Sequence, residues 1–208
     1  MLKLYCAPGT ISIAVAITLE EAGLAYEPRI VDFKAAEQTK PDYLAVNPKG
    51  RVPTLELPDG TRLTETGAVL EYIAACAPQA GLVPQGSLDA ARMRSVMYYL
   101  ASTMHVNHAH KMRGSRWAER ADSFADMAAK VPQTMTASAA FVESHCLAGD
   151  FVLGDRFSIA DPYLFVVCNW LEGDGVVLAD FPRIKAFLAR MRSRPALRAV
   201  IEKGLLGS

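Results

Sequence analysis

The sequence predicts two domains: an α/β domain of order βαβαββα over residues 1–80 and an all-helical domain over residues 88–208, joined by a linker at 81–87. Three observations carry this division. Short alternating runs separated by turn chemistry fill the chain up to Pro78. Pro78, Gly81, Pro84 and Gly86 then cluster as breakers. Everything beyond them follows helical spacing.

In order, Leu2, Leu4 and Cys6 share one face of a first strand. Ala7-Pro8-Gly9 is a turn, Thr10 can cap a helix running to about Ala22, and Gly23 stands where a helix C-terminus favours glycine. Tyr26 to Val31 forms a second strand. Lys34 to Val46 is a loop with a short helix, and Asn47-Pro48-Lys49-Gly50 is a turn. Val52 to Leu57 makes a third strand whose Pro53 fits only its start or an edge. Asp59-Gly60 signals a hairpin into Thr61 to Leu63. Glu65 to Ala77 is a helix closed by Pro78. A parallel βαβ unit followed by an antiparallel hairpin is the thioredoxin-like pattern. Beyond the linker, Leu88 to about Lys111 is one long helix. Asp122 to about Cys146 is another, which Val131-Pro132 should kink or break. Ser158-Ile159-Ala160-Asp161 is a capping box before an apolar helix. Phe181-Pro182 opens a last amphipathic helix through Met191.

Composition narrows the function. Of the 208 residues, 51% are hydrophobic and 21% charged, an ordinary globular mix with enough chain for a real core. Net charge is zero, so no overall basic field draws nucleic acid or an anionic membrane. The longest apolar run, Pro162 to Leu171, is core-helix length and contains Asn169. The N-terminus does not read as a signal peptide. Cys6, Cys76, Cys146 and Cys168 form no CxxC pair and no metal-ligand spacing, which suits reduced thiols in a cytoplasmic protein.

Four segments stand in a characteristic order: Leu4-Tyr5-Cys6-Ala7-Pro8-Gly9-Thr10-Ile11-Ser12, Asn47-Pro48-Lys49-Gly50-Arg51-Val52-Pro53, Leu63-Thr64-Glu65-Thr66 and Phe157-Ser158-Ile159-Ala160-Asp161-Pro162-Tyr163. Together they resemble the glutathione transferase family over essentially the whole chain, with the bacterial beta class nearest. The resemblance implies a homodimer that binds glutathione and a hydrophobic electrophile, with no metal. It implies a cis Val52–Pro53 bond, with Val52's backbone pairing with the cysteinyl part of glutathione like an added strand. Thr66, at a helix N-terminus, would take the γ-glutamyl carboxylate, and Glu65 the γ-glutamyl ammonium. Lys34 and Lys49 are candidates for the glycyl carboxylate, and Arg51 joins Lys34 in the predicted glutathione-binding set.

The thiol position departs from the nearest class. Ile11 occupies the place where beta-class members keep a cysteine, and it can neither donate a hydrogen bond nor form a mixed disulfide. Thr10, Ser12, Tyr5 and Cys6 remain. A thiol of pKa about 8.5 is a few per cent thiolate at neutral pH, and lowering it two units needs roughly 2.7 kcal/mol. A helix N-terminus supplies about 0.3–1 kcal/mol, occasionally ~2, and one charge-assisted hydrogen bond about 1.5–3. A donor is therefore needed. Thr10, at the turn-to-helix junction, comes first. Ser12 comes second, because it can equally bond its own turn. Tyr5 reads as a packing residue and Cys6 as a small buried hydrophobe.

His105 and His108 share a face of the long helix, while His110 points elsewhere. No acid at matching spacing accompanies them, so a metal site is not indicated. The resemblance aligns His105 with the active-site histidine of beta-class proteins, where it would act as hydrogen-bond donor or base. Met104, His105, His108 and Met112 are expected near an apolar second-substrate pocket. The expected activity is conjugation of glutathione to electrophilic apolar compounds. The alternatives are a glutathione-dependent isomerase, dehalogenase or reductase, and a binding protein without catalysis.

Overall fold

Leu4 and Cys6 are fully buried on one face of the first strand, β1 (Leu2–Cys6), as the alternation predicts. The computed structural model, which describes residues 1–206, builds outward from this strand. Helix α1 (Ser12–Glu21) follows, then β2 (Tyr26–Ile30), α2 (Pro41–Val46), β3 (Thr54–Glu56), β4 (Arg62–Thr64) and α3 (Thr66–Cys76). The predicted order βαβαββα is the observed one. The strands lie in the order β2-β1-β3-β4. β1 runs parallel to β2 and antiparallel to β3, and β3 runs antiparallel to β4.

Local chemistry accounts for most boundaries. Gly23 takes φ 67° and closes α1, donating its N–H to Glu20 O at 3.1 Å. Asp59 accepts the Thr61 N–H at 2.9 Å in the β3–β4 hairpin. Gly50 closes the Asn47 turn with its N–H on Asn47 O at 2.9 Å, and a Cβ there would lie 2.8 Å from the Gln38 carbonyl oxygen. Helix α1 buries Ile13, Val15, Ile17 and Leu19 completely, which is why its sequence shows no apolar stripe. On the sheet surface Glu56 of β3 accepts Lys3 of β1 at 2.7 Å and Arg62 of β4 at 3.0 Å, and these two partners hold its carboxyl below the usual carboxylate range.

One expectation fails at the start of α1. Thr10 does not cap the helix. Its hydroxyl turns back to Ala7 O, and Ile11 takes the N-cap place without a side-chain cap.

The contacts group residues Met1–Pro84 with the segment from Met191 onward, and Gln85–Arg190 as a second unit. The sequence places all residues from 88 in one helical domain, whereas α9 (Pro195–Glu202) packs against α1. Arg194 forks onto the Glu21 carboxylate at 2.5 and 2.8 Å, and Lys203 pairs with Glu20. No separate helix is predicted there. Pro195 at its first turn and the buried Leu197 and Val200 define it.

The second unit carries α4 (Ser87–Tyr99), α5 (His105–Ala109), α6 (Ala121–Phe141) and α7 (Ala160–Asn169), with α8 (Pro182–Ser193) at its end. The long helix expected from Leu88 to Lys111 is α4 and α5 joined by a π-helical turn at Leu100–Met104. Helix α6 is neither broken nor ended by Pro132 but runs through it, and the Thr134 hydroxyl donates to the Lys130 and Val131 carbonyls beside it. The acidic half of the capping box is built as predicted, while Ser158 Oγ accepts the Ala160 N–H at 3.3 Å rather than that of Asp161. Asp161 accepts the Ser158 N–H at 2.7 Å and its hydroxyl at 3.0 Å, with both residues fully buried.

Candidate functional site

In the first unit the β1–α1 turn gathers the predicted thiol-activating residues. Thr10 Oγ1 lies 2.8 Å from Ala7 O and 2.7 Å from Ser12 Oγ, and Ser12 Oγ accepts the Ala7 N–H at 3.1 Å. Two hydroxyl protons close this ring: Thr10 donates to Ala7 O and Ser12 to Thr10. Ser12 is fully buried within it, whereas Thr10 is half-buried. Ser12 is thus held as part of the turn, and Thr10 is the hydroxyl with a side toward solvent. Among the described residues the Ile11 and Ser12 N–H groups take no partner, as the first turn of a helix leaves them. A thiolate here could recruit those N–H groups and draw the Thr10 proton from a neutral carbonyl to a charged acceptor, a stronger bond.

Cys6, fully buried in β1, has its thiol pushed up to about 12 by burial, which removes it as a nucleophile near neutral pH. Tyr5 packs edge-on against Tyr43 with ring centroids 6.0 Å apart.

Val52–Pro53 is cis, as the resemblance implies. The segment before it is tied down from below. Asn47 Nδ2 and Tyr43 Oη both donate to the Arg51 carbonyl at 2.7 Å, and Asn47 also reaches Thr54 Oγ1 at 3.1 Å. The 1% exposed Asn47 therefore positions the strand-like backbone at Val52, a role its turn propensity alone does not show. Arg51 itself points its side chain outward, with no partner among the described residues.

Glu65 stands at the N-cap of α3 with φ 68° and ψ 116°, a conformation that side-chain-bearing residues rarely adopt. Thr66 follows, 7% exposed, at a helix start whose first N–H groups lack intrahelical partners. The Lys49 ammonium lies 2.5 Å from the Glu65 carboxylate and 2.8 Å from Thr64 Oγ1. Of the two lysine candidates, Lys49 is the one brought to this helix start. Lys34 is exposed in the β2–α2 connection, where its N–H is accepted by Asp32 at 2.8 Å.

In the second unit His105 and His108 both meet Trp170, at 5.1 and 4.1 Å between ring centroids. His110 instead sets edge-on against Trp117. His108 has an acid behind it. Its Nδ1 donates to Asp174 Oδ2 at 2.6 Å, and the Asp174 side chain is 1% exposed. The pair is 66 residues apart, so helical spacing could not reveal it. Among the described residues no group of three or more His, Cys, Asp or Glu side chains is placed to hold a metal, and no helix is long and apolar enough to cross a membrane.

The family model "Glutathione S-transferase, N-terminal domain" matches residues 1–75, and "Glutathione S-transferase, C-terminal domain" matches residues 116–190. A glutathione S-transferase of Escherichia coli O157:H7 is 33% identical over 98% of this chain and 100% of its own. The chain belongs to the glutathione S-transferase family. Within the family, a glutathione transferase homologue from Sulfitobacter, solved with bound glutathione, is 66% identical, with a TM-score of 0.98 over 99% of both chains. A maleylacetoacetate isomerase of Pseudomonas aeruginosa is 31% identical over 91% of this transferase and 90% of its own length. The two matched domains fit a thioredoxin-like first unit and a helical second one.

Proposed function

We propose that this chain is a cytoplasmic, homodimeric glutathione transferase that conjugates glutathione to electrophilic, largely apolar small molecules. The observation that carries the reading is Glu65-Thr66. A carboxylate is presented on left-handed backbone at the N-terminus of α3, next to free helix-start N–H groups. That pairing of opposite-charge sites fits the γ-glutamyl ammonium and carboxylate. Val52 offers its backbone to the cysteinyl part, and Lys49, Lys34 or Arg51 a cation to the glycyl carboxylate. Thr10 donates to the thiolate, with the Ile11 and Ser12 N–H groups adding the helix-start field. Ser12 holds Thr10 in place. His105 is the helical unit's candidate for hydrogen bonding or proton transfer.

Immobilised glutathione tests the binding half. The parent is retained and Glu65→Ala is not, whereas equal retention overturns the assignment. Conjugation of an aryl halide tests the other half. Thr10→Ala should lower kcat by about tenfold or more, the worth of one charge-assisted donor, while leaving retention nearly intact. Equal loss of both moves Thr10 from thiolate stabilisation to binding.

A further inference from the structure

The sheet of the first unit has a cavity beside β2 that the glutathione reading leaves unused. Helix α2 lies over the other strands. Its Tyr43 meets Tyr5 of β1 edge-on and reaches Thr54 of β3 at 3.4 Å, and Arg62 of β4 donates to the Ala45 carbonyl at 2.8 Å. β2 is an edge strand of that sheet. Between it and α2 opens a cavity of about 440 Å³, within the roughly 300–1,000 Å³ usual for small-molecule sites. Tyr5, Val31, Val46 and the 52% exposed Ile30 give it an apolar lining, and Arg29, Glu37 and Asp42 add charge. These charges are not equally answered. The Arg29 guanidinium lies 3.0 Å from the Glu27 carboxylate and so has its own counter-ion. The Glu37 carboxylate accepts only a backbone N–H, that of Asp32, at 2.7 Å, and the Asp42 side chain has no partner among the described residues. The loop before α2 fixes Glu37 in this place. The Glu37 N–H returns the bond to the Asp32 carbonyl at 3.0 Å, Asp32 Oδ1 accepts the Lys34 and Ala35 N–H groups at 2.8 and 3.1 Å, and Ala36 takes a left-handed φ of 51° between them. Side-chain-bearing residues rarely adopt that conformation.

We propose that this cavity binds a small organic cation, an ammonium or amidinium group carried on a flat apolar body. Two carboxylates without a cationic partner stand at the rim of an apolar lining. The apolar body covers Val31, Val46 and Ile30, and its burial supplies the drive to bind. The cation answers Glu37 and Asp42, and the Tyr5 ring adds cation–π attraction. A neutral analogue of the same shape leaves both carboxylates to water. An anion meets two like charges against one guanidinium that Glu27 already holds. Glu37 and Asp42 have no part in the glutathione site, so the proposal stands or falls apart from that reading.

The test titrates three probes of one shape into the nitrogen-15-labelled full chain: benzamidinium, neutral benzamide and anionic benzoate. Amide shifts are read at Tyr5, at Arg29 to Val31 and at Glu37 to Val46. Benzamidinium should shift these amides saturably, with a Kd on the order of 1 mM for so small a ligand. Benzamide should bind about fivefold more weakly, the worth of an exposed ion pair, and benzoate more weakly still. The double variant Glu37→Gln, Asp42→Asn keeps the side-chain shapes and an oxygen for the Asp32 N–H. It should bind benzamidinium about fivefold more weakly than the parent and benzamide as the parent does. The probe series on the parent reads the same claim without any substitution. Equal binding of the three probes, saturable shifts confined to other residues, no saturable shift with benzamidinium, or a double variant that binds it as tightly as the parent each overturn the proposal.

Discussion

Glu65 carries two properties that pull against each other. Its carboxylate is where the γ-glutamyl ammonium is proposed to bind, and its backbone sits at φ 68° without being glycine. Such conformations cost of order 1–3 kcal/mol and gather at ligand clamps. The sequence showed the residue and its place before α3, but nothing in Leu63-Thr64-Glu65-Thr66 announces a positive φ. Comparing Glu65→Gly with Glu65→Ala isolates the backbone effect, since both remove the same carboxylate and the same exposed pairing with Lys49. At an ordinary position alanine is the more stable by about 0.4–1 kcal/mol. Here the order should reverse, with the glycine variant more stable by roughly 1 kcal/mol in urea unfolding while neither variant is retained by glutathione. An alanine variant at least as stable as the glycine one would show that the site stores no strain. Thr10 and Ser12 mark a similar limit. Their types and spacing left both open, and what separates them is the Ala7 N–H, which the fully buried Ser12 Oγ accepts at 3.1 Å.

Among the elements, those set by local chemistry were legible and those set by distant partners were not. The Ser158-x-x-Asp161 box announces α7 from sequence: Asp161 accepts the Ser158 N–H and hydroxyl, and Ser158 Oγ accepts the Ala160 N–H at 3.3 Å. What sequence could not show is a third donor, the Val152 N–H, which reaches Asp161 Oδ1 at 2.8 Å from the preceding loop. Asp161 is therefore a buried hub as well as a cap. Asp161→Ala leaves three buried donors without their acceptor and should cost about 3–5 kcal/mol in urea unfolding. Ser158→Ala should cost about 1–2 kcal/mol, as a lost N-cap. A penalty below ~1 kcal/mol for Asp161→Ala would mean that water replaces the carboxylate. Pro132 shows what local reasoning leaves undecided, since a proline either kinks a helix or breaks it. Proline removes one helical bond, yet α6 continues, and the proline ring packs where a Cβ on Gly175 would come within 3.1 Å.

At the scale of the whole chain, the missed feature is the return of the C-terminal segment to the first unit. Helix-period spacing reveals the helix from Pro182 through Met191, but it shows neither α9 nor which apolar face covers which. The answer lies in pairs far apart in sequence. Arg194 meets Glu21, Lys203 meets Glu20 and stands 4.4 Å from the Tyr26 ring centroid, and the Leu205 carbonyl accepts the Gly9 N–H at 3.3 Å. This last bond holds the glycine immediately before Thr10, so the end of the chain supports the turn on which thiol activation is proposed to depend. Leu197 tests the assignment, because it is fully buried in α9 and makes no part of the proposed glutathione site. Leu197→Ala should cost about 2–5 kcal/mol. Local loosening falls where the lost contacts were, so hydrogen exchange should speed up in α1 and at Gly9 to Ser12 while protection in α4 to α6 changes little. Aryl halide conjugation should fall in step with the protection lost around Thr10. If protection were lost chiefly between residues 85 and 190, α9 would belong to the helical unit and the support for the Thr10 turn would have to come from elsewhere.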